Sequence, residues 1–340
     1  MADTLANATW DLPERTPVTY HYCSLDTLLS IVKNQQLWLT DITRSNDSAE
    51  LSYGFLKIRE ALETEITRVI EQKHFPEGQG ELDPATLQML QSFLENVRSI
   101  GTSDQIRCYA ICFSTEKDLL SQWRAYGDDG KGVSIGFDLD SLCTMHNLSA
   151  KVQATSNDSL LDKSGFQDYL PVCYGAEGII DVIMRPMLAM TSFGFDRLNS
   201  TTDNLIAEFF SPEYLLNWWM TQLLPKSAFC KNPYFSEEKE WRLALWGATA
   251  NSPDMAEQRQ ELTHTLKSMH PNIITSAEFD MLAQRGTLNP ILKLGVNLSI
   301  VMKEVVLGPK CQATKSIMEE FLRSEGLADA QVSQSEGTYR

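Results

Sequence analysis

The chain lacks any apolar run of the roughly 20 residues that a spanning helix requires, so no transmembrane helix is expected. Its first residues, Met1 to Asp11, are polar and acidic and lack the basic and apolar segments of a secretion signal, which makes the cytoplasm the expected location. The phosphate-loop pattern is absent, as are internal repeats and a clear domain linker. Positive charge is scarce: 29 Lys and Arg stand against 45 Asp and Glu, giving a formal net charge of -16. That balance opposes non-specific nucleic-acid binding, which depends on cations at phosphates, but leaves room for a small basic groove. Seven cysteines form no paired motif and suit a reduced chain. Cys108 and Cys112 have no second Cys or His pair to complete a zinc site, so they are expected as small apolar residues buried in a strand over Ile106 to Phe113.

A hydrophobic content of 43% in 340 residues can supply a large core. Short strands are expected at Val18 to Tyr22, Leu37 to Thr40, Gly132 to Phe137, Pro171 to Tyr174, Ile291 to Leu294 and Lys303 to Leu307. Ser24 reads as the N-cap of a helix through Leu28, Leu29, Ile31 and Val32. Leu51, Phe55, Ile58, Leu62, Ile66 and Ile70 recur at three- and four-residue spacing, one buried face of a long helix. A second helix starts near Pro84, and together the two predict a helical hairpin inserted over 48–101. Residues 176–226 read as a second helical segment, followed later by helices near Met255 to Met269 and Ala313 to Leu322 and a polar tail over 326–340. Helical insertions interrupting short strands predict an α+β class, a single elaborated domain over 18–325 behind an N-terminal extension of 17 residues.

The segment Glu238-Lys239-Glu240-Trp241-Arg242 opens an apolar run, Leu243 to Trp246. Read as a strand, it turns Glu238, Glu240 and Arg242 to one side and Trp241, Leu243 and Leu245 to the other. Paired acids on such an edge can stabilise an oxocarbenium-like centre and orient an attacking group. They can equally be a solvated face on which Glu and Arg pair.

Taken in order, Tyr20-His21-Tyr22, Asn46-Asp47 with Glu50, Cys112-Phe113-Ser114, Trp123 with Tyr126, Gly132 through Gly136-Phe137, Glu238 to Arg242, and Val305 to Pro309 resemble the bacterial domain-of-unknown-function family numbered twenty-nine seventy-one. The layout has a more distant resemblance to ADP-ribosyltransferases: a polar residue on the first strand, a central strand ending in Ser or Thr, aromatic residues near a helix, and a late Glu-x-Glu. This resemblance implies a short-stranded mixed sheet with an ADP-ribosyltransferase-like core and an NAD-consuming mono-ADP-ribosyltransferase or NAD glycohydrolase, with a toxin or phage-defence effector as its setting. NAD would be the co-substrate, no metal is expected, and the ADP-ribose acceptor is unidentified.

The same resemblance implies Glu240 at the ribose, with Glu238 orienting or deprotonating the acceptor; the two roles are exchangeable on sequence grounds. His21 would hydrogen-bond the ribose or the nicotinamide amide, or else serve as a structural strand residue. Trp123 and Tyr126, three apart on one helical face, could stack on the nicotinamide ring; core packing suits Trp123 better and ligand contact suits Tyr126. Ser114 would contact the ribose or cap the following helix. Asn46, Asp47 and Glu50 form a secondary polar cluster for which helix capping accounts better than a metal site. Two rival classes follow: a non-catalytic interaction module using the 48–101 helices, and a magnesium-dependent nuclease relying on Asp47 and Glu50.

Overall fold

A computed structural model describes residues 15–42, 48–73, 81, 84–99, 106–142, 167–175, 224–248, 264, 266–268, 270–284 and 287–338. The polar stretch over 150–164, the helical segment over 176–223 and most of the helix near 255–269 lie outside these residues. The fold is mixed α and β, and the chain divides into two compact units. One includes Asp47–Asp104 and Cys173–Tyr234, stretches that contain the expected 48–101 hairpin insertion and the 176–226 segment; the other comprises Leu12–Asn46, Gln105–Val172 and Phe235–Arg340.

The second unit is a mixed sheet of ten described strands. In chain order these are β1 (Thr19–Cys23), β2 (Gln36–Asp41), β3 (Ile106–Ser114), β4 (Val133–Phe137), β5 (Gln167–Pro171), β8 (Glu240–Ala248), β9 (Ile274–Gln284), β10 (Thr287–Val296), β11 (Met302–Leu307) and β12 (Gln331–Gln334). Strands β6 (Cys173–Tyr174) and β7 (Cys230–Lys231) form a separate parallel pair in the first unit. Along the sheet the order is β12-β11-β4-β1-β3-β2-β10-β9, with β8 also joined to β3 and β5 joined to β8. Every pairing in it is antiparallel except β11 with β12.

Local chemistry explains several elements. Helix α1 (Leu25–Asn34) starts where the Ser24 hydroxyl accepts from the Thr27 amide at 3.2 Å, buries Leu28, Ile31 and Val32, and lies against β2 and β4. In the first unit α2 (Ser48–Gln72) buries Phe55, Ile58, Leu62, Ile66 and Val69, and α3 (Pro84–Ser99) answers with Leu90, Phe93 and Leu94. The helical hairpin read from the sequence is therefore a packed pair. None of the described helices is long and apolar enough to cross a membrane.

Three elements differ from the sequence reading. The long hairpin partner β9 was not expected, although its register with β10 runs from Thr287–Gln284 to Gly295–Ser276 before a bulge. The supposed polar tail contains β12, which pairs in parallel with β11 through Val305–Val332 and Leu307–Gln334. Glu238 ends a 3-10 turn instead of sharing the strand of Glu240.

Gly54 in α2 sits against the 3-10 turn Leu224–Phe229: a Cβ there would lie 2.2 Å from the Ser227 carbonyl oxygen. Backbone cannot swing aside as a side chain can. Gly54→Ala is expected to cost about 1–3 kcal/mol by overpacking, against the usual gain of Ala over Gly in a helix, read from the urea midpoint.

Candidate functional site

The site is best built from β3, whose two edges are used differently. One edge pairs with β8 along the whole strand, from Ile106–Ala248 to Ser114–Glu240. The other is shared: Ser114 pairs with Tyr20 of β1, while Ala110 and Tyr109 pair with Thr40 and Asp41 of β2. Between these, Ile111, Cys112 and Phe113 have no strand partner on that edge among the described residues. The sheet is split there. The His21 imidazole bridges the split, its Nδ1 lying 3.0 Å from the Cys112 carbonyl oxygen. A carbonyl can only accept, so Nδ1 donates and Nε2 is left as the acceptor nitrogen.

Register puts five residues in one row across the sheet. Glu304 of β11 pairs with Gly136 of β4, Gly136 with Tyr20, Tyr20 with Ser114, and Ser114 with Glu240. Registered neighbours share a face, so these side chains lie on one side of the sheet. The Tyr20 hydroxyl donates to Glu304 Oε1 at 2.7 Å across Gly136, where a Cβ would stand 2.9 Å from Glu304 Cγ and 3.0 Å from Tyr20 Cε1. Burial, reinforced by Glu304, pushes the Tyr20 hydroxyl well above the ordinary tyrosine range.

Glu240 begins β8 and is 5% exposed. Arg242, two residues on and 3% exposed, grips it with both prongs: Nε to Oε1 at 2.5 Å and Nη2 to Oε2 at 3.1 Å. The expected Glu-Arg pairing on one strand face is thus present, as a buried two-point contact. Glu238 does not share the strand. It ends the 3-10 turn Pro233–Glu238, and Lys239 follows with φ of 45°, so the alternation that would align Glu238 with Glu240 is broken. Lys239 instead reaches Glu116 at 2.6 Å.

The other sequence candidates separate by face. Ser114 Oγ donates to the Glu238 carbonyl at 2.7 Å and accepts from the Glu116 amide at 3.2 Å, stitching the end of β3 to the turn before β8. The following helix, α4 (Leu120–Ala125), has Leu119 at its N-cap and no side-chain cap. Trp123 is 1% exposed, edge-on to Tyr22 at 4.7 Å, and its Nε1 donates to Asp118 at 2.7 Å. It is core on the Tyr20 face. Tyr126, at the end of α4, is 52% exposed.

His21 lies on the opposite face, with Thr19, edge-on to Phe113 at 5.9 Å in an aromatic chain that continues through Tyr169 to Trp241. On β1 the residue sharing a face with Ser114 and Glu240 is Tyr20, a partner the sequence reading missed; counting alternate residues back from the paired Ser114 would have required the register. Asn46 and Asp47 lie outside the described residues, as does the side chain of Glu50, which belongs to the first turn of α2. Among the described residues no group of three or more His, Cys, Asp or Glu could hold a metal ion.

Cys108 is buried, but Cys112 is exposed, in a strand whose described side chains from Arg107 to Ser114 are otherwise buried. Cys112 is in register with Arg242. Solvent therefore reaches the Tyr20 face beside the Glu240–Arg242 pair, at the split.

Residues 122–243 match the family described as protein of unknown function (DUF2971). That span runs from Gln122 in α4 to Leu243 in β8 and is narrower than the ordered resemblance from Tyr20 to Pro309. No curated protein and no solved structure matches the chain.

Two outcomes are expected. Arg242→Met should destabilise the fold by about 3–5 kcal/mol by stranding a buried carboxylate, and Arg242→Met with Glu240→Met should recover much of that loss in urea unfolding. Burial holds His21 below the ordinary histidine value despite its hydrogen bond to Cys112. Its neutral form is favoured on folding, so its contribution is intact above about pH 6.5 and lost as pH falls below that value, where the unfolded chain takes up the proton first. An NMR titration should show one imidazole titrating below 6.5 and moving to the ordinary value on unfolding.

Proposed function

We propose that the chain is an NAD-consuming enzyme of the mono-ADP-ribosyltransferase or NAD glycohydrolase kind, working on the Tyr20 face beside the split in the sheet. The observation that carries this reading is the fixing of Glu240, by register beside Ser114 and by the Arg242 fork, next to exposed Cys112. When the bond from ribose C1 to nicotinamide breaks, its electron pair leaves with nicotinamide and positive charge develops on the sugar. A carboxylate that is already oriented stabilises that charge more than it stabilises the bound substrate. Water as the nucleophile gives hydrolysis, and an acceptor side chain or base gives transfer.

In this reading Tyr20, tied to Glu304, takes the first-strand position on the site's face. His21 lies on the opposite face, where it holds the Cys112 carbonyl, and takes no part in ribose contact in this reading. The Glu238 carbonyl holds Ser114, Trp123 packs beneath the face, and stacking on the nicotinamide ring falls to the exposed ring of Tyr126.

The same fork favours a second reading. Both Glu240 oxygens are engaged by Arg242 and the pair is buried, which suits a structural ion pair in a non-catalytic interaction module.

The readings part on one measurement. Purified protein given NAD and cell lysate is expected to release nicotinamide, and Glu240→Gln is expected to lower the rate by roughly 10²–10³-fold, the range for loss of one preorganised electrostatic contact. Circular dichroism and the unfolding midpoint establish that the variant is folded. Unchanged release by a folded Glu240→Gln would remove Glu240 from the chemistry. Absence of NAD binding by calorimetry would leave the interaction module.

A further inference from the structure

In the first unit, two cysteines far apart in sequence are brought into register on neighbouring strands. Strands β6 and β7 run parallel, with Cys173 in register with Cys230 and Tyr174 with Lys231. The Gly175 amide donates to the Lys231 carbonyl at 3.2 Å and continues the pairing beyond Tyr174. Registered residues on adjacent strands lie about 4.8 Å apart and turn their side chains to the same face. A disulfide spans Cα separations of about 4.4–6.8 Å, so the backbone already meets its requirement. Both residues are present as thiols. They are not equivalent: Cys173 is partly exposed, whereas Cys230 is buried, with its Sγ donating to the Lys226 carbonyl at 3.4 Å.

We propose that Cys173 and Cys230 are a redox-modifiable pair that closes to an intramolecular disulfide across β6 and β7 by exchange with a low-molecular-weight disulfide. Cys173, the accessible member, gives up its proton to solvent and attacks one sulfur of the external disulfide. That bond breaks, and the departing thiolate takes a proton. Cys230 then attacks the Cys173 sulfur of the mixed disulfide, forming the protein disulfide and expelling the second small thiol. The protein loses two hydrogens and two electrons, and the external disulfide becomes two thiols.

Exposure sets which thiol enters and register sets which one resolves. Burial lifts the Cys173 thiol to about 11, so the entry step is slow at neutral pH and speeds up about tenfold per pH unit as the thiolate population grows. Once the mixed disulfide forms, the neighbouring Cys230 makes the second step intramolecular. Exposed Cys112 is in register with Arg242 rather than with a cysteine, and it supplies an internal control that should stop at a single adduct. The pair bounds the chain from Tyr174 to Phe229, so closing it ties both ends of that segment covalently.

The test uses the full chain with oxidised glutathione at pH 7, 8 and 9, read by mass spectrometry of non-reduced peptides. The expected product is a Cys173–Cys230 linked peptide that disappears with dithiothreitol and forms roughly tenfold faster per pH unit. Cys230→Ser should instead hold a stable glutathione adduct on Cys173, and Cys173→Ser should leave Cys230 unmodified. The proposal is overturned if wild-type protein keeps the adduct on Cys173 as the Cys230→Ser variant does. It is equally overturned if both thiols still react with iodoacetamide after oxidation, or if Cys173 links to a different cysteine.

Discussion

A strand has two edges, and in this sheet the central one, β3, spends its second edge on two partners that lead in different directions. Pairing with β8 is continuous, while β1 takes only Ser114 and β2 only Tyr109 and Ala110. Backbone groups at the fork between them still need partners, because a buried carbonyl left without one is costly. His21 answers for Cys112, and Ser114 answers for the turn that delivers β8. The row from Glu304 to Glu240 exists because β4 and β11 extend the β1 half while β8 extends the β3 half. Two half-sheets are hinged at one registered pair, and the exposed thiol of Cys112 marks where solvent enters between them.

The Glu240–Arg242 pair shows why a charged strand resists a single interpretation. Its geometry, a guanidinium fork on both carboxylate oxygens, is what a buried ion pair needs to offset desolvation, and also what a carboxylate needs to be held still for chemistry. Substitution at Glu240 therefore changes stability and chemistry together. Only measurements that separate folding from turnover assign the residue a role.

Much of the fold was legible because it rests on local signals. Ser24 as a cap, the helical face from Phe55 to Ile66 and the paired Glu and Arg on β8 all follow from spacing. What sequence could not supply was register. Alternation within β1 sets His21 apart from Tyr20, but which of them faces Glu240 depends on the pairing of Tyr20 with Ser114, a contact between distant segments. Glu238 failed for a different reason: the left-handed Lys239, a residue with no glycine-like signal, ended the strand one position before it could alternate. Strand β12 was hidden by its polar composition, since an edge strand with Gln at both ends carries little apolar pattern.

Asp118 gathers donors from two distant stretches: Trp123 Nε1 from α4, and Ser335 Oγ at 2.6 Å and the Glu336 amide at 2.8 Å from beyond β12. Burial alone would raise its carboxyl, yet these bonds hold it below the ordinary value. During synthesis a ribosome makes Asp118 and Trp123 long before residues 331–336 emerge. The indole beneath Tyr22 must therefore wait, with an incompletely satisfied acid beside it, until nearly the whole sheet has been translated. A chain without β12 and the residues after it leaves Asp118 without its Ser335 and Glu336 donors, so this corner is the last of the sheet that synthesis can close.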